Sequence, residues 1–449
     1  MHLMKTESAP FLPPMEKAAS EIIGFSEEGR PIVARFRGHY TPSLRILILS
    51  GQHGDERRAM RTVNKFLNRF DPLSLGTAQL QIAAIACLNP DGYVWKNRLN
   101  SRGVDLNRDH QLLRSKEVYA LHSFVRRWRP HFIMDVHNYP SRRQHLLQKN
   151  LMYGHDLFLD IPNNPNISTP LSPPELENFL DSILKNLRRQ GIFCDRYALL
   201  RKSGRLRFST PDIVDARNGL SLRYGIPTML VESRQPTRLD DKKTRQHLHR
   251  ALLATLESVV GTVVHWGQKI TRPNGDVFRP LVLKSRYCRA KEPAVFPFRD
   301  SENGDLKEVS IVKFTPTLRS VREGTLPLAY AVPAELTTLR RFLDRQGFSG
   351  LPGSGIEKFP VEVYKITSLE PSKREKRAPR RIQTGVLRVH RKLSNYCIYP
   401  VTPQTGRILA VFLEPESKFG LLRYPEMNLC TEQMSEYPVL RLVLGGFST

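Results

Sequence analysis

Apolar residues recur along the first 265 positions in two alternating patterns. Short continuous apolar runs at 32–36, 44–50, 80–87, 131–136 and 226–231 indicate strands that are buried or nearly so. Longer segments at 55–70, 115–128, 174–190 and 240–264 carry apolar residues three and four positions apart, which is typical of amphipathic helices. Strands that alternate with helices predict an α/β fold with a three-layer α/β/α arrangement.

The pattern changes after residue 267. Short apolar runs at 309–314, 361–366, 386–389 and 408–413 are separated by turn-rich stretches, and one helix is expected near 333–346. Residues 1–20 contain three prolines and are expected to form a flexible leader. The predicted division is therefore a leader at 1–20, an α/β domain at 21–267 and a smaller β-rich accessory domain at 268–449.

Composition excludes several classes of protein. No apolar run approaches the roughly 18 residues of a transmembrane helix, and the N-terminal segment lacks the apolar core of a signal peptide. We therefore expect a cytoplasmic location, or a periplasmic or secreted one if the N-terminus is incomplete. The five cysteines are scattered and form no CxxC pair, so neither a disulfide framework nor a cysteine zinc site is expected.

The formal net charge of +26 is the second departure from an ordinary composition. Such a surface attracts anionic polymers, including nucleic acid, anionic lipid and cell-wall polymer. The basic residues are spread along the whole chain, and the densest basic run lacks the interleaved aromatics of a single-strand nucleic-acid site. This favours a generally basic surface. An anionic polymer is a candidate partner through that surface, although the sequence contains no specific nucleic-acid motif.

The polar residues after the apolar run 44–50 carry the strongest chemical signal. His53 and Glu56 lie three positions apart, and Gly51 and Gly54 allow a tight turn there. Imidazole nitrogen and carboxylate oxygen suit zinc, and a catalytic zinc normally has three protein ligands and an open position. His137 follows the run 131–136 and is the candidate third ligand. The strand ends would meet at one edge of the sheet, where α/β folds build their sites.

Two further segments add candidate chemistry. The loop between the two histidines contains Arg98 and Arg108, and a guanidinium group is suited to two-point binding of a carboxylate. Taken alone, this loop is better explained as a surface loop with salt bridges. Glu232 follows the run 226–231, and a carboxylate there is costly unless it is solvated or functional. Beside a metal-bound water it could act as general base and then as general acid.

Together these residues resemble the zinc metallocarboxypeptidases, the M14 or carboxypeptidase A family, in a bacterial-type form. The resemblance covers about residues 20–265 and is carried by an ordered set of short motifs: His53-x-x-Glu56, Asn89-Pro90-Asp91-Gly92, Arg98, Asp105-x-Asn107-Arg108, His137 and Glu232. It implies a zinc-carboxypeptidase-like domain with a mixed sheet and one Zn²⁺ per chain. His53, Glu56 and His137 would ligate the ion.

The resemblance also implies the roles of the remaining residues. Asp105 would orient His53, and Arg98 would stabilise the oxyanion. Asn107 and Arg108 would bind the terminal carboxylate of a peptide substrate, and Glu232 would be the general base. The expected activity is that of a hydrolase, a metallopeptidase that cleaves a C-terminal peptide bond or a γ-D-glutamyl bond.

Two positions bear on activity and specificity. Digestive members of the family carry a mobile tyrosine about twenty residues before the catalytic glutamate, and none occurs there; Tyr224, only eight residues before it, is expected to be structural. Arg217 lies where family members often line the specificity pocket. If it points inward, an acidic C-terminal residue would be preferred; otherwise it is a helix-surface arginine.

Three other functions compete with this one. Murein peptide amidases share HGDE and GVDLNR and cut a γ-D-glutamyl bond. N-acyl amino acid deacylases share related motifs, although NPDG and the surroundings of Glu232 favour peptide cleavage. A non-catalytic module that binds polyanions would have an incomplete site, whereas here the ligands and the base are all present.

Overall fold

The computed structural model describes residues 19–71, 79–237, 240–273, 280–371, 379–429 and 436–444, so the predicted leader lies outside them except for its last two residues. Its elements up to residue 273 are strands β1 Ser20–Phe25, β2 Pro31–Gly38, β3 Leu44–Ser50, β4 Leu80–Ile85, β5 Phe132–Tyr139, β6 Leu151–Tyr153, β7 Leu157–Asp160, β8 Cys194–Arg196, β9 Ala198–Leu200, β10 Leu206–Phe208 and β11 Thr228–Arg234, with helices α1 Arg57–Arg69, α2 Pro90–Trp95, α3 Lys116–Trp128, α4 Gln144–Leu147, α5 Pro173–Arg189, α6 Ala216–Tyr224, α7 Lys242–His265 and α8 Gly267–Ile270.

A mixed sheet forms the centre of this first part. In the described residues its strand order is β1-β2-β4-β3-β5-β11-β7-β8. The four central strands β4, β3, β5 and β11 are mutually parallel, whereas β1, β2 and β7 join by antiparallel pairing. The carboxyl ends of the parallel strands therefore lie along one edge, the edge at which α/β sheets bind ligands.

Helices cover both faces of this sheet. Along β3, Ile46 and Ile48 join a core with α1, α5 and α7, while Leu47 and Leu49 join a second core with α3 and α6. A strand that is buried on both faces reads as one continuous apolar run, which is the pattern seen in the sequence. The predicted three-layer α/β/α arrangement with a mixed sheet is confirmed.

The later part of the chain is rich in strands, as predicted. Its elements are β12 Leu281–Cys288, β13 Ala294–Asp300, β14 Leu306–Ile311, β15 Phe314–Thr315, β16 Thr317–Gly324, β17 Ala329–Pro333, β18 Leu351–Pro352, β19 Phe359–Pro371, β20 Pro379–Arg391, β21 Tyr396–Pro400 and β22 Leu440–Leu442, with helices α9 Thr337–Arg345 and α10 Gly406–Leu413. In the described residues, the largest sheet of this part has the order β18-β21-β17-β22-β19-β20.

One run of the predicted β-rich part is helical. Residues 408–413 lie in α10, all of whose residues are buried. A short apolar run does not distinguish a buried strand from a helix that is apolar on every side, because the two-residue and 3.6-residue periods both vanish. The helix α9 falls within the predicted range 333–346.

Strands from beyond residue 268 extend sheets that begin before it. β13 pairs with β6, and β15 pairs with β10. Aromatic side chains from both parts share a core, in which Tyr153 and Phe158 contact Phe296. The division at residue 267 remains a prediction about domains, and the two parts share these packing contacts. No helix in the described residues combines the length and the apolarity that crossing a membrane requires.

Candidate metal centre and active site

The turn after β3 brings the two residues of the HGDE motif together. Gly51 adopts a φ of +68°, a left-handed conformation that glycine adopts without strain. A Cβ on Gly54 would lie 1.9 Å from the carbonyl carbon of Gly92, so the turn packs directly on the backbone of the NPDG segment. Asn89 caps α2 by accepting a hydrogen bond from the Gly92 amide at 2.8 Å. The two motifs therefore form one tightly packed unit.

Both histidines direct Nδ1 at the carboxylate of Glu56. The distance is 2.7 Å from His53 Nδ1 to Glu56 Oε1 and 3.0 Å from His137 Nδ1 to Glu56 Oε2. One ligand atom from each residue lies within 4.8 Å of the others, and all three side chains are buried. Two imidazole nitrogens and a carboxylate form the donor set of a catalytic zinc site. The chemistry of these residues therefore fits a zinc ion.

A carboxylate orients each histidine from behind. Asp105 Oδ1 lies 3.1 Å from His53 Nε2, as the sequence predicted, and Asp135 Oδ1 lies 3.0 Å from His137 Nε2. Contacts of this kind fix the ring so that the other nitrogen faces the metal. The sequence analysis did not single out Asp135. Its two-residue spacing from His137 was the available signal, because alternate residues of a strand share a face.

A buried chain of hydrogen bonds continues from Asp135 away from the metal centre. Gln52 Nε2 donates to Asp135 Oδ1 at 2.7 Å, and Gln52 Oε1 lies 2.8 Å from His110 Nε2. His110 Nδ1 lies 3.0 Å from His122 Nε2. The Tyr224 hydroxyl lies 3.1 Å from His122 Nδ1 and 3.0 Å from the His122 carbonyl oxygen.

The acceptor at Gln52 determines the protonation of this chain. An amide oxygen only accepts, so His110 carries its proton on Nε2 and uses Nδ1 to accept from His122 Nε2. Burial lowers the pKa of His110 to about 3 and that of His122 well below its ordinary value, so both rings are neutral. The chain fixes the Gln52 amide in one orientation and gives Tyr224 a structural role.

We expect Asp135→Ala to weaken metal binding by about 10–100-fold, because the variant loses the acceptor that holds the His137 ring. The measurement is the zinc dissociation constant from competition with a chromogenic chelator. Asp181→Ala, on an exposed helix position, is the matched control and should bind zinc as the wild type does. An unchanged affinity in the Asp135 variant would contradict the positioning role.

Glu232 lies beside the metal ligands on the adjacent strand. The register of β11 and β5 pairs it with His137. Its Oε2 atom is shielded from solvent and has no hydrogen-bond partner among the described residues. Burial raises the pKa of Glu232 to about 7 from an ordinary value of 4.5. A carboxylate so placed can accept or release a proton near neutral pH.

A cavity of about 160 Å³ opens beside Glu232. Arg108 lines it and forms no ion pair with any residue in the described ranges. Asn107 lines it as well, but its amide oxygen accepts from the Ala216 amide at 2.9 Å, and its amide nitrogen lies 3.3 Å from His137 Nε2. Arg108 Nη1 donates to the carbonyl oxygen of Asn107 at 2.6 Å, and Arg108 is the charged residue of the pair predicted to bind a terminal carboxylate.

The two remaining predicted residues, Arg98 and Arg217, differ in exposure and in contacts. Arg98 is 44% exposed, donates to Asp105 Oδ2 at 3.0 Å and has Nη1 3.8 Å from Glu56 Oε1. Arg217 is buried and lines the cavity, so the helix-surface interpretation is wrong. Sequence analysis also missed Tyr197, which lines the same cavity. It adjoins three-residue strands that carry too little periodicity to be recognised.

The curated proteins that are similar to this chain in sequence include carboxypeptidases. No family model matches the chain. Carboxypeptidase 2 of Trichophyton tonsurans is 23% identical over 422 residues, covering 89% of this chain and 76% of the relative. Carboxypeptidase 2 of Trichophyton rubrum is 23% identical over 448 residues, covering 93% and 81%.

Solved structures similar to the chain include a metallo-carboxypeptidase from Pseudomonas aeruginosa, with 20% identity and a TM-score of 0.43, covering 56% of this chain and 65% of that chain. A murein-tripeptide amidase from Escherichia coli O157 has 17% identity and a TM-score of 0.31, covering 57% and 93%. This chain thus spans slightly less than two thirds of the first of these structures. The chain is thus similar in sequence to curated carboxypeptidases, and its ordered motifs resemble those of the M14-like zinc metallopeptidases.

Proposed function

We propose that this protein is a zinc-dependent carboxypeptidase that hydrolyses the last bond of a peptide, with Glu232 as general base. The observation that carries the proposal is the convergence of three groups at one edge of the sheet. The ligand set His53, Glu56 and His137 lies beside Glu232, and Glu232 shares a cavity with Arg108. Each of these three groups alone could have a structural role. Their position side by side is best explained by one shared function.

A zinc ion held by the three ligands would supply a Lewis acid that activates water and polarises the scissile carbonyl. Glu232 accepts the proton of the attacking water and later delivers it to the leaving amine. Its position beside His137 on the adjacent strand, with an Oε2 atom that no other described residue engages, leaves the carboxylate available for both steps.

Two arginines bind the negatively charged groups of the substrate. Arg108 binds the terminal carboxylate within the cavity, and Arg98 stabilises the oxyanion from the open side of the ligand set. Asp105 positions Arg98 through its Oδ2 atom while its Oδ1 atom orients His53. Loss of one oxyanion donor typically costs about 10²–10³ in rate.

The charge in the cavity supports cleavage at a terminal residue. Arg108 and Glu232 line the same cavity, so a carboxylate bound by Arg108 would lie near the general base. A free C-terminus provides such a carboxylate and an internal residue of a peptide does not. An exopeptidase therefore fits these residues better than an endopeptidase does.

The test is metal analysis together with a peptide panel. We expect one zinc per chain and release of one residue from peptides with a free C-terminus, and much slower release from the same peptides amidated at the C-terminus. Arg108→Gln should raise KM about tenfold or more, since an ionic hydrogen bond to a carboxylate contributes about 1.5–3 kcal/mol. Arg102→Gln, on the exposed loop nearby, is the control. Stoichiometric zinc without cleavage of any peptide would overturn the proposal.

The same panel separates the alternatives within the fold. A γ-D-glutamyl peptide tests the murein amidase reaction, and N-acyl amino acids test deacylation. Cleavage of the small acyl substrates without cleavage of peptides would favour a deacylase. Contact with an anionic polymer and the cytoplasmic location remain predictions from the sequence.

A further inference from the structure

The cavity beside Glu232 carries more positive charge than one terminal carboxylate requires. Arg108, Arg201, Arg207 and Arg217 all contribute to its wall. One arginine is sufficient to bind a terminal carboxylate by two parallel hydrogen bonds. The other three arginines are available to a substrate only where no acidic residue of the protein compensates their charge.

The positive charge of Arg217 is compensated by neighbouring groups of the protein. Its side chain is 1% exposed, and it donates to the carbonyl oxygens of Ile161 and Thr210. Asp160 Oδ2 lies 3.4 Å from its Nη1 atom. Arg217 therefore anchors the cavity floor, and it is a poor candidate for the group that meets a substrate.

Two acidic residues of the wall are engaged elsewhere, and the third, Glu232, is the proposed base. Asp135 holds His137 and Gln52. Asp215 caps α6 by accepting from the Asn218 amide at 3.0 Å, and it lies 3.8 Å from Arg217. Neither carboxylate forms an ion pair with the two remaining arginines.

Those two arginines lie on the hairpin formed by β9 and β10. Arg201 and Arg207 have no carboxylate within 4 Å among the described residues, and Arg207 lies over the Tyr287 ring at 5.8 Å. Desolvation and the neighbouring charge of Arg201 lower the pKa of Arg207, and the more distant charge of Asp212 opposes this shift only in part. The hairpin therefore presents free positive charge to the cavity.

We propose that Arg207, with Arg201, selects a substrate whose terminal residue carries a second carboxylate on its side chain. The inference rests on the proposed carboxypeptidase function. Arg108 takes the terminal carboxylate, and the hairpin arginines take the side-chain carboxylate. A guanidinium group matches a carboxylate in geometry and charge, whereas a cationic terminal residue would be repelled.

The experiment compares kcat/KM for peptides that differ only in their last residue: glutamate, its neutral isostere glutamine, leucine and lysine. We expect a preference for glutamate over glutamine of about tenfold or more, and a fall of at least tenfold in that ratio in Arg207→Gln. Arg205→Gln, exposed on the same hairpin and absent from the cavity wall, should keep the wild-type ratio.

A glutamate to glutamine ratio near one, or a ratio that Arg207→Gln leaves unchanged, would overturn the inference and leave the carboxypeptidase function standing. If no peptide is cleaved, the carboxypeptidase function fails. The inference is then decided by calorimetric binding of the glutamate and glutamine peptides to zinc-loaded Glu232→Gln, where equal affinities would overturn it.

Discussion

Glu232→Gln is expected to lower kcat by about 10²–10⁴-fold while zinc remains bound, because glutamine keeps the shape of the side chain and cannot accept a proton. Glu232 is not among the three ligand residues, so the metal site should stay intact. The measurement is kcat on a peptide with a free C-terminus, together with the zinc content of the same sample. Glu257→Gln, at an exposed position of α7, controls for the loss of one carboxylate.

The variant should also differ from the wild type in how its stability depends on pH. Burial raises the pKa of the Glu232 carboxyl to about 7 in the folded protein, against 4.5 as its ordinary value. Because the folded state holds the proton to higher pH, the metal-free wild type loses stability as the pH rises between these values. Glutamine carries no such proton. Between pH 5 and pH 8, the Tm of metal-free Glu232→Gln should therefore rise relative to the Tm of the metal-free wild type.

Full activity of Glu232→Gln on the peptide would refute the assignment of the base.

His53→Ala is expected to abolish stoichiometric zinc binding and to reduce peptide cleavage to the level of buffer. Two ligands remain in the variant, and a catalytic zinc site normally uses three. The loss also leaves Asp105 without the ring that it orients. Zinc content after dialysis and the rate of peptide cleavage are the two measurements.

His265→Ala, at an exposed position at the end of α7, is the matched control. A strong chelator should have the same effect on the wild type, and added zinc should restore the rate there but not in His53→Ala. Retention of one zinc per chain by His53→Ala would show that the ligand set is assigned wrongly.

The sequence predicted the first part of the fold well because its signals are local. Each central strand is buried on both faces and reads as one apolar run, and α5 begins with a capping box in which Ser172 and Glu175 satisfy each other. His137 and Glu232 could be proposed because each directly follows such a run, and His53 and Glu56 because they lie in the glycine-containing turn after one. The pairing of β13 with β6 depends on residues about 145 positions apart and leaves no local pattern.

The cavity and the support of the ligands were harder to predict. His110 and His122 meet Gln52 only in three dimensions, and each histidine alone resembles an ordinary core residue. Arg207 lies on a strand of three residues, too short for a period to appear. The direction of Arg217 follows from the position at which α6 begins, which is set by the cap at Asp215.

The pairing of β10 with β15 joins the wall of the cavity to the later part of the chain. Arg207 pairs with Thr315, and the Tyr287 hydroxyl donates to the carbonyl oxygen of Ser209. Substitutions in β12 or β15 could therefore move the hairpin arginines without altering any ligand or the base. Peptide preference could diverge in evolution through residues far along the chain from every motif of the family, and transplanting the first 267 residues alone would not transplant that preference.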